Sequence, residues 1–121
     1  MTWNIQPDRP VYLQLIEQLE LALVTGEYPP GARMPAVREL AAQAGVNPNT
    51  MQRALQELEI RGLVNTQRTS GRTVTQDAQM LIKLREKMAL TQVAAFWENM
   101  KKLGLSGEEI VQMIQRQAKE E

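Results

Sequence analysis

From Val11 onward, apolar residues fall at Val11, Tyr12, Leu15, Ile16, Leu19 and Leu23, the spacing of one helical face. Pro10 suits the first position of that helix, and Gly26 is placed to end it. The next run, Tyr28-Pro29-Pro30-Gly31-Ala32-Arg33-Met34-Pro35, is dense in residues that break regular structure and predicts a loop. A second helix is predicted from about Ala36 to Ala44, turning Val37, Leu40 and Ala41 inward, with Gly45 as its stop. Asn47 then offers a side-chain oxygen to cap a helix whose first residue is Pro48, and that third helix runs to about Arg61 with Met51, Ala54, Leu55, Leu58 and Ile60 as its apolar members. Two helices joined by a few residues around one glycine form a helix-turn-helix.

The period then changes. Gly62–Gln67 and Arg72–Thr75 read as extended segments on either side of a turn at Arg68-Thr69-Ser70-Gly71, a hairpin in the position of a wing. Helical spacing returns at Gln76, placing Leu81, Leu84, Met88, Ala95, Phe96, Met100 and Leu103 on one broad face up to Gly104. Ser106-Gly107-Glu108-Glu109 has the form of a capping box and opens a last helix carrying Ile110, Val111, Met113, Ile114 and Ala118. The expected fold is mainly α with a small β-hairpin: a winged helix-turn-helix over residues 1–75, then a two-helix dimerisation tail over 76–121. Val93 and Trp97 widen the apolar surface of the tail beyond what a two-helix hairpin covers, and a second copy of the chain is the simplest cover. The residues expected to form that homodimer contact are Leu81, Leu84, Met88, Phe96, Trp97, Met100, Ile110 and Ile114.

Composition narrows the chemistry. With 121 residues the chain is of the size of one small domain plus an appended element. Absence of cysteine removes disulfides and thiolate metal sites, and absence of histidine removes the usual general base and metal ligand near neutral pH. No metal or cofactor is therefore expected, and no enzyme: Glu57 and Glu59 diverge on their helix, and Glu108-Glu109 suit capping. No apolar run approaches a membrane span and no secretory signal opens the chain, so the expected location is cytoplasmic. The formal net charge is zero, which gives no basic footprint in sum. Its distribution is more telling: from Arg61 to Val74 the only charged residues are Arg61, Arg68 and Arg72, whereas Glu17, Glu20 and Glu27 crowd the first helix and its end.

A helix entering the DNA major groove presents its first turns to base edges, and the third helix carries Asn49, Thr50, Gln52 and Arg53 there. Polar residues on a surface helix are by themselves more often merely solvated. Their neighbours change the balance. Arg38, in the first turn of the second helix, has the planar fork that suits a phosphate or a guanine edge, against the plainer alternative of a surface salt bridge with Glu39. In the wing, Arg68, Thr69, Ser70, Gly71 and Arg72 supply cations, hydroxyls and a glycine that admits close backbone approach.

The runs Gly31-Ala32-Arg33-Met34-Pro35-Ala36-Val37-Arg38-Glu39-Leu40-Ala41, Gly45-Val46-Asn47-Pro48-Asn49-Thr50-Met51-Gln52-Arg53-Ala54-Leu55 and Leu58-Glu59 with Gly62-Leu63-Val64 resemble the GntR family of bacterial regulators. The short tail is similar to the family's YtrA-type branch rather than to members with a large effector domain. The resemblance implies DNA contacts at Arg38, Asn49, Thr50, Gln52 and Gly71, with Arg53 a weaker carry-over. It also implies a double-stranded operator as partner, repression, and by analogy control of an ABC transporter operon. Ala36 departs from the family's usual serine and Pro48 from a frequent arginine, so the helix-two cap and the operator sequence should differ. An unidentified small-molecule effector would act through dimer geometry or a small pocket near Trp97. The rival reading is a winged-helix module that binds a protein partner and no DNA.

Overall fold

The computed structural model describes residues 1–69 and 71–121; Ser70 lies outside the described residues. In chain order the elements are α1 (Val11–Val24), α2 (Val37–Ala44), α3 (Pro48–Ile60), β1 (Val64–Gln67), β2 (Gly71–Val74), α4 (Ala78–Lys102) and α5 (Gly107–Glu120). They divide into two compact units, Met1–Arg85 and Glu86–Glu121.

In the first unit the predicted inner faces meet, except that Ile60, at the last position of α3, is turned outward and 79% exposed. Leu15, Ile16, Leu19 and Leu23 of α1, Leu40 and Ala41 of α2, and Met51, Ala54, Leu55 and Leu58 of α3 are all buried in one cluster. Burying the leucine, isoleucine and methionine side chains among them contributes roughly 1.5–3 kcal/mol each, and it is this shared core that fixes α3 against α1 and α2. Gly45 ends α2 in the left-handed region (φ 71°, ψ 35°), which lets Val46 N–H donate back to the Ala41 carbonyl at 3.0 Å. The chain is thereby aimed into α3 within two residues. Asn47 caps that helix by accepting from the Asn49 amide at 2.8 Å, and Pro48 occupies its first turn. Pro10, by contrast, is the cap residue of α1 rather than its first helical residue.

The breaker-rich segment expected as a plain loop also joins the sheet. β1 and β2 pair antiparallel in the register Val64↔Val74, Asn65↔Thr73, Thr66↔Arg72 and Gln67↔Gly71. Along the other edge of β2, Gly31 N–H donates to the Val74 carbonyl (3.0 Å), Val74 N–H to that of Ala32 (2.8 Å) and Met34 N–H to that of Arg72 (2.8 Å), so that Arg33 stands opposite Thr73. Met34 points into the core from this strip, only 4% exposed.

The N-terminal arm is held by two glutamines of α1. Gln14 accepts from the Gln6 amide and donates to the Gln6 and Arg9 carbonyls, while Gln18 accepts from the Asn4 amide and donates to the Asn4 carbonyl. The four-residue rise of a helix, ~6 Å, matches the advance of two residues in an extended chain, so each amide meets the next outward-facing peptide unit. Trp3 and Ile5 thereby rest on the core.

Three of the residues expected at a dimer contact are covered within the chain. Leu81 is buried in the first unit's core and Leu84 packs against it, together with Met80. For the same reason the first unit extends beyond Thr75, where the expected domain boundary lay, to Arg85. Ile110 is fully buried. In the second unit a Cβ built on Gly107 would stand 3.2 Å from the Trp97 ring, so the absence of a side chain there permits the close approach of α4 and α5. The Ser106 hydroxyl accepts from the Glu109 amide and the Glu109 carboxylate accepts from the Ser106 amide, completing the expected capping box. Met88, Trp97 and Met100 are half-buried; Phe96 and Ile114 remain exposed, as do Leu90, Val93 and Val111. Among the described residues no helix is long and apolar enough to cross a membrane.

Candidate nucleic-acid interface

The first turns of α3 present Asn49 and Arg53 as exposed side chains and Thr50 and Gln52 as half-buried ones. Burial of Met51, Ala54, Leu55 and Leu58 fixes which side of the helix faces inward, so these polar groups are displayed by packing and not by chance rotation. The Arg53 guanidinium lies 3.7 Å from the centroid of the Tyr12 ring, a cation–π contact that ties α3 to the start of α1. Such a contact holds the long side chain in one place while leaving its charge unneutralised.

Arg38 is exposed in the first turn of α2, and among the described residues it forms no ion pair, with Glu39 or any other carboxylate. The Ala36 cap position of α2 has no side-chain hydrogen bond, as the missing hydroxyl leads one to expect. Two of the three cations that made the hairpin region look basic are, however, already matched. Arg61 reaches Glu20 at 3.1 Å and Glu57 at 3.2 Å, bracing α3 against α1. Arg72 donates through Nε to Glu59 Oε1 at 2.5 Å. Thr66, directly across the hairpin from Arg72, donates its hydroxyl to the same oxygen. One carboxylate at the end of α3 thus holds both strands of the wing at a single rung. Arg68 and Thr69 are exposed at the turn, and Gly71 has the left-handed φ of 71° that the turn requires.

The hydrogen bond from Thr66, joined by that from Arg72, holds the Glu59 carboxyl below its ordinary range, against the opposing effect of burial. A carboxyl depressed in the folded state contributes stability above its unfolded pKa, and that contribution is lost as pH falls through the folded value. Comparing wild type with Glu59→Gln in urea melts, we expect the wild-type advantage to be present at neutral pH and to vanish as the pH drops below the normal carboxylate range. An advantage independent of pH would contradict the clamp.

Arg33 is the residue that the sequence reading passed over, because it sits in what looked like a loop. It is exposed, and its Nε lies 4.0 Å from the Cβ position of Gly71.

The helix-turn-helix followed by a hairpin has counterparts in known proteins. Residues 11–74, spanning α1 to the end of the wing, match the family described as "Bacterial regulatory proteins, gntR family". The chain belongs to the GntR family. It is 39% identical over 111 residues to the HTH-type transcriptional regulator YhcF of Bacillus subtilis, covering 92% of each chain. It is 39% identical over 70 residues to the HTH-type transcriptional repressor YtrA of the same organism, covering 58% of this chain and 54% of that one. A GntR family transcriptional regulator from Listeria monocytogenes has the same fold, with a TM-score of 0.85 at 33% identity, covering 93% of this chain and 98% of that structure. This GntR chain is therefore a transcriptional regulator, its helix-turn-helix and wing forming the DNA-binding domain, and not an enzyme.

Proposed function

We propose that the chain is a repressor that binds a pseudo-palindromic operator as a homodimer. The observation that carries this reading is the joint display of Asn49, Thr50 and Gln52 at the start of α3 beside Arg38, a cation without a carboxylate partner among the described residues. In this reading Arg38 takes a guanine edge or a phosphate, Asn49 and Gln52 read base edges, Thr50 adds a hydroxyl or methyl contact, and Arg53, steadied on Tyr12, reaches the backbone. Arg68 and the turn at Gly71 engage phosphate or the minor groove. The repressor name of YtrA supports the negative sign of regulation. Control of an ABC transporter operon, and response to a small-molecule effector through the tail, complete the proposal.

Homodimerisation rests on the apolar groups that the second unit leaves exposed, Phe96, Val93, Leu90 and Ile114. Pairing of tails would set two recognition helices on half-sites about one helical turn apart, ~34 Å. Nuclease protection of the DNA upstream of the chain's own operon tests this. Two protected half-sites related by a dyad are expected; failure to protect any promoter fragment specifically would favour a protein-binding module.

A further inference from the structure

We propose that Arg33 is a DNA-contacting residue and that Arg72 is not: Arg33 joins Arg68 as the cationic tip of the wing, while Arg72 is a positioning residue that holds the hairpin on the recognition helix. The inference rests on the reading that this domain binds duplex DNA, and it reassigns charges within that surface.

Consider Arg72 first. Its side chain is only 17% exposed and its Nε is engaged with Glu59, itself 30% exposed. Turning this guanidinium toward a phosphate would leave a partly buried carboxylate without its cation and would release one side of the clamp that Thr66 shares. The backbone on either side is pinned as well, since the Arg72 carbonyl accepts from Met34 and Arg72 pairs in register with Thr66. Arg72 is thus built into the joint between α3, the hairpin and the strip before α2.

Arg33 has the opposite character. It lies in that strip, opposite Thr73, and successive side chains of an extended segment face opposite ways. Met34 is turned into the core, so Arg33 is turned out. Its Nε stands 4.0 Å from the point where a Cβ on Gly71 would be, which places the guanidinium against the backbone that closes the wing. Among the described residues no carboxylate pairs with it. An unmatched, exposed guanidinium beside a glycine turn has the fork geometry and the charge for a phosphate. The hairpin alone looked like the source of the wing's charge; the fold supplies half of it from a residue 38 positions earlier than Gly71.

The test measures affinity for the chain's own promoter fragment as a function of salt, using full-length Arg33→Gln, Arg33→Lys and the charge-neutral double variant Glu59→Gln/Arg72→Gln. Each phosphate contact contributes ~0.9 to the slope of log affinity against log salt, so loss in both copies of a dimer flattens it by ~1.8. Arg33→Gln is expected to show that flattening with an unchanged thermal midpoint, and Arg33→Lys to restore the slope. The double variant is expected to bind more weakly at every salt concentration, because the wing is held in place for a smaller fraction of the time, but with the wild-type slope, because no phosphate-contacting cation has been removed. A wild-type slope in Arg33→Gln would overturn the assignment of Arg33, and a flattened slope in the double variant would overturn that of Arg72. If wild type itself bound the fragment with no salt dependence, the DNA reading beneath the inference would be the part that failed.

Discussion

Arg38→Ala is expected to abolish discrimination between promoter and unrelated DNA while leaving the chain folded. A bidentate contact to a base edge discriminates by ~1–3 kcal/mol, about five- to 150-fold for each half-site, and a dimer loses two of them. The side chain is exposed and unpaired among the described residues, so its removal orphans no buried group and opens no cavity. That separates the result from general destabilisation. Thermal melts of the variant should overlay wild type, and band-shift titrations should converge on the affinity for random duplex. An affinity within about threefold of wild type, ~0.65 kcal/mol, would remove Arg38 from the reading surface.

Phe96→Glu is expected to yield a folded monomer with weak promoter binding. Phe96 is 44% exposed in the isolated chain, so a carboxylate there is tolerated in water but not in an apolar contact between copies. Loss of the second recognition helix removes an avidity of ~10²–10⁴. Sedimentation velocity gives the mass and a titration gives the affinity; a monomer that bound as tightly as wild type would overturn the role of the tail. Leu84 would be a poor choice for the same experiment, because it packs on the core of the DNA-binding domain and a charge there would disturb folding itself.

The contrast between Phe96 and Leu84 shows what could be read from the chain and what could not. Both fall on the apolar face of one long helix, and periodicity alone says that each is covered without saying by what. Leu81 and Leu84 are covered by the first unit, whereas Phe96 remains 44% exposed. Where the determinants are local, the reading was close: the Gly45 stop, the Asn47 cap with Pro48, and the Ser106–Glu109 box act over a few residues and need no tertiary partner. The inner faces of α1, α2 and α3 were legible because each helix buries one side. Charge was legible as a list but not as an arrangement. Arg61 and Arg72 looked like free cations, yet their carboxylates lie in α1 and α3, and Glu59 meets Thr66 and Arg72 only once the hairpin has folded back. Arg33 was hidden by the opposite error, since its loop-like sequence gives no sign of the pairing with β2 that carries it to the wing.

The central claim is that the surface formed by α3, Arg38 and the wing reads duplex DNA. The most direct measurement is the affinity of the purified chain for the promoter fragment of its own operon against unrelated duplex, across a range of salt concentrations. The prediction is a steep, linear fall of log affinity with log salt and a preference for the promoter of ~10³-fold or more. Equal affinity for both duplexes, or binding indifferent to salt, would contradict it.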